Sequence, residues 1–198
     1  TNEFTRAVEH SRRALKWYPR HHARIPYLVH DYAYLLVNIR QDRLALHLLD
    51  FVLEIITAPH ERLLVLGTVA RAAGGYGDRD RFGAAQTFVE TMSSVHPQHA
   101  AQALCDVARG AWLLELWDRA ERVAVRARSV AKEQGRKDTA DAAEQVLESV
   151  ACRTSAPAPP ALPKGMISEV EKLALEYQLS IERWKPRPGG TTPPRADP

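Results

Sequence analysis

Apolar residues recur at helical spacing along most of the chain, with polar residues between them. In 24–39, Val29, Tyr32, Ala33 and Leu36 share one helical face, and in 42–57 so do Leu44, Leu48, Phe51, Val52 and Ile55. The pattern predicts further helices over 2–18, 59–73, 79–94, 97–116, 118–134 and 138–151. Breakers punctuate them. Pro19 ends the first, Pro59 and Pro97 stand where a helix can begin, and Gly135 closes the helix over 118–134. Gly74-Gly-Tyr-Gly-Asp78 predicts a turn, because glycine tolerates positive φ. Asp138 is the expected N-cap of the helix over 138–151. No period-two run of β-branched residues signals a strand.

The helical segments also repeat. Asp42-Arg43, Asp80-Arg81 and Asp118-Arg119 are spaced 38 positions apart, each between two predicted helices. Upstream, Asp31-Tyr-Ala-Tyr-Leu-Leu36, Thr68-Val-Ala-Arg-Ala-Ala73 and Asp106-Val-Ala-Arg-Gly-Ala111 align with one another. Such a period predicts an all-α solenoid of antiparallel helix pairs over 1–151, each burying its apolar face on the next. The helix over 138–151 would cover the last such face.

Residues 152–166 are proline-rich and read as an extended linker. Residues 167–184 read as an amphipathic helix. Ser168-Glu-Val-Glu171 has the form of a capping box, and Val170, Leu173, Tyr177, Ile181 and Trp184 make one apolar stripe. At about 25 cal/mol per Å2, burying such a stripe is favourable by several kcal/mol before entropy is counted. It has three possible resting places: its own solenoid, a second copy in a homodimer, or a different protein. Its own solenoid ranks first, because a tethered helix has a high effective concentration there. Residues 185–198, with Gly189-Gly190 and five prolines, are expected to form a flexible tail.

Composition narrows the class. With 198 residues, 45% hydrophobic and 26% charged, the chain is ordinary for a globular protein. No apolar run is long enough to predict a membrane span. The net charge of +3 divides into 20 basic against 19 acidic residues in 1–151 and 7 against 5 in 152–198. A near-neutral body lacks the clustered basic face of a direct nucleic-acid binder. Cys105 and Cys152 are too few for a disulfide framework, so a reducing cytoplasm is the expected location. The chain opens on Thr1 and runs straight into a helical pattern, which reads as part of a longer or processed polypeptide.

The repeat anatomy resembles the tetratricopeptide repeat over roughly residues 2–151. Phe82, Ala85, Val89 and Pro97 fall at that repeat's large, small, apolar and closing-proline positions, and Ala120, Val123, Ala127 and Gly135 occupy them in the next unit. In the first unit they are Leu44, His47, Phe51 and Pro59, so His47 stands where a small residue is expected. The first helices also lack the usual glycine. The 38-position spacing exceeds the family's period of about 34. Pro26-Tyr-Leu-Val-His-Asp-Tyr-Ala-Tyr34, Val69-Ala-Arg-Ala-Ala-Gly-Gly75 and Leu116-Trp-Asp-Arg-Ala-Glu121 are similar to bacterial regulators that carry such repeats beside an effector domain. The resemblance implies a right-handed superhelix whose first helices line a groove for a peptide or a partner's helix. It implies a protein-binding scaffold or regulatory module. The alternatives are the ligand- or peptide-sensing domain of a bacterial transcription regulator and a non-catalytic subunit of an enzyme complex.

Candidate chemistry follows the repeat. Arg71 and Arg109 occupy equivalent places in successive first helices, with Tyr34 as their counterpart. The position resembles one that supplies polar side chains in carboxylate-gripping grooves of the family, and an arginine fork suits a carboxylate. The other clamp positions fall on Tyr32, Leu36 and Cys105, so a full clamp is absent. His30, Tyr34, Arg71, Arg109 and Trp112 are the candidate groove residues, and an acidic or C-terminal peptide is the expected ligand. The competing expectation pairs the arginines with Asp31, Asp106 or Glu115. His30-Asp31 points two ways on a helix and makes no relay. His21-His22 and His96-Pro-Gln-His99 lack a third ligand at useful spacing. No nucleotide-binding or hydrolase motif is present, so no catalytic residue, metal or cofactor is expected.

Overall fold

The computed structural model describes residues 2–19 and 22–184, and the described residues are all-helical. The helices are α1 (Asn2–Trp17), α2 (Ile25–Asn38), α3 (Asp42–Ile55), α4 (Pro59–Tyr76), α5 (Arg79–Met92), α6 (Pro97–Leu113), α7 (Trp117–Glu133), α8 (Lys137–Ala151) and α9 (Met166–Trp184). The expected tail over 185–198 lies outside the described residues.

Local chemistry sets the boundaries. Pro26, Pro59 and Pro97 sit in the first turns of α2, α4 and α6, where a missing N–H leaves no bond unmade. Gly77 takes the left-handed conformation at φ 88° and ends α4, and its N–H donates to the Ala73 carbonyl at 2.9 Å. Asp78 then caps α5 by accepting from the Arg81 N–H at 2.9 Å.

Three expectations are corrected. The turn expected over 74–78 is helical through Gly74, Gly75 and Tyr76. Those two glycines serve close approach: a Cβ on Gly74 would stand 2.3 Å from the Gly110 carbonyl oxygen, and one on Gly75 2.2 Å from the Asp42 carboxylate. Asp138 is not a cap, because α8 begins at Lys137 and its capping position is Arg136, with no side-chain bond. Ser168 is not one either. α9 begins at Met166, one residue ahead of the expected 167, so Ser168 lies inside the first turn.

The helices form two layers. α2, α4, α6 and α8 pack side by side in that order. α3 rests on α2 and α4, α5 on α4 and α6, and α7 on α6 and α8. Leu36, Leu48, Leu49, Leu63, Phe82 and Leu104 are fully buried in the core. The arginines of the recurring Asp-Arg pairs link successive outer helices: Arg81 reaches Asp50 and the Leu46 carbonyl on α3, and Arg119 reaches Gln86 on α5 at 3.2 Å.

The tightest seam joins α4 to α6. A Cβ on Gly67 would lie 2.7 Å from the Ala103 Cα, and one on Gly110 would lie 2.4 Å from the Ala70 carbonyl oxygen. Here backbone meets backbone, and only small residues fit. The α2–α4 seam is polar in part. His30 Nε2 lies 3.0 Å from Thr68 Oγ, whose hydroxyl donates to the Leu64 carbonyl at 3.3 Å. With the Thr68 proton so used, the His30 ring is the donor. Burial lowers the His30 pKa to about 4.

α9 packs against α1, α2 and α3, at the end of the stack remote from α8. Val170, Leu173, Tyr177 and Ile181 are buried there, and Trp184 is half-buried. The Tyr32 and Tyr177 rings stack at 4.8 Å. Tyr32 donates to the Val170 carbonyl at 2.8 Å, Tyr177 to the Ser11 carbonyl at 2.9 Å and the Trp184 indole to the His22 carbonyl at 3.1 Å. Arg12 pairs with Glu169 at 2.8 Å.

Two outcomes are expected in urea unfolding. Gly110→Ala must push α4 and α6 apart and destabilises by about 1–3 kcal/mol, whereas Gly83→Ala, whose Cβ meets nothing within 4 Å, stabilises α5 by up to about 1 kcal/mol. For His30, a folded pKa depressed from 6.5 to about 4 gives stability that is complete above pH 6.5 and lost as pH falls toward 4. His30→Gln therefore flattens the acid limb, and between pH 7 and pH 4.5 the variant loses less stability than the wild type by on the order of 2 kcal/mol.

Candidate functional site

The inner layer presents one continuous face. Residues 154–160 pass over it without helix or strand, and a cavity of about 510 Å3 remains between that segment and the helices. Asn38 at the end of α2, Arg71 on α4, and Arg109 and Trp112 on α6 line it.

A polar network ties the four inner helices beside this cavity. Arg71 Nη2 donates to Asn38 Oδ1 at 2.8 Å, and Nη1 to Asp106 Oδ1 at 3.5 Å. Its guanidinium lies 5.6 Å from the Tyr34 ring centroid. Gln102 Nε2 donates to the second Asp106 oxygen and to the Tyr34 hydroxyl, both at 3.1 Å. Thr139 on α8 donates to Gln102 Oε1 at 3.4 Å. Asp106 is only 1% exposed. Burial pushes its carboxyl above the usual range, against the opposing pull of Arg71 and Gln102. Burial likewise raises the Tyr34 phenol.

Arg109 differs from Arg71. It lines the same cavity, yet makes no hydrogen bond or ion pair among the described residues. Trp112 next to it donates its indole N–H to the Thr154 carbonyl at 2.8 Å, and Ser155 donates to Glu115 at 3.2 Å. The face thus offers an indole donor aimed at a main-chain carbonyl, one cation held by hydrogen bonds, and one cation that feels Asp106 only through space.

Among the candidate groove residues, Arg71, Arg109 and Trp112 come together at the cavity. His30 does not reach it and belongs to the α2–α4 seam, while Tyr34 belongs to the polar network. The candidate clamp positions Tyr32, Leu36 and Cys105 are core residues, and burial raises the Cys105 thiol to about 11. Of the acids considered for the arginines, Asp106 takes Arg71, Glu115 takes Ser155 and Asp31 is exposed. Asn38, Gln102, Thr139 and the segment over 154–160 were not legible as site residues. Gln102, Asp106 and Arg109 do share one face of α6 by their spacing. His60 is a neighbour of both His96 and His99, with rings 5.9 and 5.6 Å apart. No group of three potential ligands is arranged to hold a metal ion among the described residues.

Comparison with known proteins leaves this geometry to speak for itself: no family model, no curated protein and no solved structure matches the chain.

Proposed function

We propose that the chain is a non-enzymatic, tetratricopeptide-like solenoid that binds another polypeptide on the inner face of α2, α4, α6 and α8. The preferred ligand is an extended segment carrying a side-chain or terminal carboxylate. The observation that carries this is the pairing of Trp112 with a main-chain carbonyl of an extended segment, next to an arginine with no hydrogen bond or salt bridge among the described residues. An indole N–H on a carbonyl recognises backbone and so accepts many sequences. Arg109 adds the chemical preference, since a guanidinium fork is best satisfied by a carboxylate. Tryptophan and arginine are also the side chains that most often dominate binding energy in such contacts. Arg71 has a different part. Asn38 and Asp106 hold it in place, so it shapes the face more than it charges it. A scaffold or regulatory role in a bacterial cytoplasm is the setting this reading favours.

A fluorescein-labelled hexapeptide ending in two glutamates and a free carboxylate tests it by anisotropy on the full chain. Amidation of the peptide terminus and Arg109→Ala should each weaken binding by about tenfold, equivalent to about 1.4 kcal/mol. Binding that neither change affects, or no binding at millimolar peptide, would contradict the reading.

A further inference from the structure

The segment over the inner face is the chain's own. We infer that residues 154–160 act as an intramolecular strap that competes with the external ligand for the Trp112–Arg109 site. α9 is the anchor that holds the strap there. This rests on the binding reading above and adds its regulation.

The strap is secured at its ends and lightly held in between. At one end the Thr154 N–H donates to the Ser149 carbonyl at 2.8 Å, continuing from α8, and the Thr154 carbonyl accepts from Trp112. At the other end α9 is fixed by the Tyr32–Tyr177 stack and by bonds to Ser11, His22 and Arg12. Residues 155–162 take part in no backbone–backbone hydrogen bond among the described residues. Ser155 holds Glu115 through a single exposed hydroxyl contact.

Length favours this route. Residues 154–163, which lie between two turns, span about 31 Å when extended at about 3.1 Å per residue. Crossing from α8 to α2 takes three helix spacings of 8–10 Å, or about 24–30 Å. The linker therefore reaches α9's seat with little slack, and its course lies across the inner face. Tethering at both ends gives the strap an effective concentration in the millimolar range. A weakly complementary segment can then occupy the site while a better ligand still displaces it.

The strap also leaves the site half-made. It supplies Trp112 with a carbonyl but has no acidic residue, since 154–160 reads Thr-Ser-Ala-Pro-Ala-Pro-Pro. Arg109 is left facing the cavity. A ligand with a carboxylate satisfies both groups, and that difference lets it win.

The experiment replaces residues 154–160 with glycine and serine at equal length, which keeps α9 attached but removes Pro157, Pro159 and Pro160, whose stiffness holds the Thr154 carbonyl on Trp112. The probe is the same acidic hexapeptide. The replaced chain should bind it about tenfold more tightly than the wild type, as expected for a site that is about 90% closed by its strap. Arg109→Ala in the replaced chain should remove that gain. Equal affinity of the two chains overturns the strap and leaves the binding reading intact. No binding to either chain overturns both. Should the replacement impair folding, hydrogen exchange on the wild type decides: saturating peptide should accelerate exchange around 152–156 and leave α9 unchanged. Unchanged exchange in 152–156 at saturation would overturn the strap.

Discussion

The close contact of α4 with α6 is the constraint on which the rest depends. Gly67 meets Ala103, and Gly110 meets both Gly74 and Ala70, at distances that leave no room for a further carbon. Backbones this near lock the rotation of both helices. That rotation turns Arg71 on α4 and Arg109 with Trp112 on α6 toward the same side, away from the core that holds Phe82 and Leu104. A bulkier seam would separate the helices and break the reach of Arg71 to Asp106. Dispersion and small-residue packing thus set the geometry on which the polar chemistry relies.

The inner face carries an electrostatic division of labour. Asp106 is buried and would be costly as a lone charge, but Arg71 and Gln102 satisfy it. Removing Arg71 would leave a buried carboxylate, so its loss would be felt as instability before it was felt as lost binding. Arg109 makes no hydrogen bond or salt bridge among the described residues and acts on Asp106 only through space. The two arginines stand 38 positions apart on the adjacent helices α4 and α6, yet one builds the face and the other is available to it.

Much of the helical architecture was legible in the chain, and the reasons are local. Apolar spacing and first-turn prolines placed the helices to within a few residues, because both act within one turn. Gly74 and Gly75 were misread because a glycine signals either positive φ or close approach, and only the partner helix decides which. Asp138 and Ser168 look like caps from composition, but each helix starts upstream, where the neighbouring turn dictates. For the site, the repeat brought out Arg71 and Arg109. It carried no information on Asn38 or Thr139, which lie far apart along the chain and meet only after stacking. An aperiodic stretch such as 154–160 has no pattern from which its course over the inner face could be read. The apolar stripe of α9 was evident, but its seat against α1, α2 and α3 depends on the span of the linker.

The central structural point is that a single chain closes on itself, with α9 at the far end of the stack from α8. Mass-resolved hydrogen exchange after size-exclusion chromatography at micromolar concentration tests it most directly. A self-closed chain predicts a monomer of 22.2 kDa in which the amides of Val170, Leu173, Tyr177 and Ile181 are as protected as those of α2. A dimer that carries this protection, or a monomer in which α9 exchanges as freely as a peptide, would contradict it.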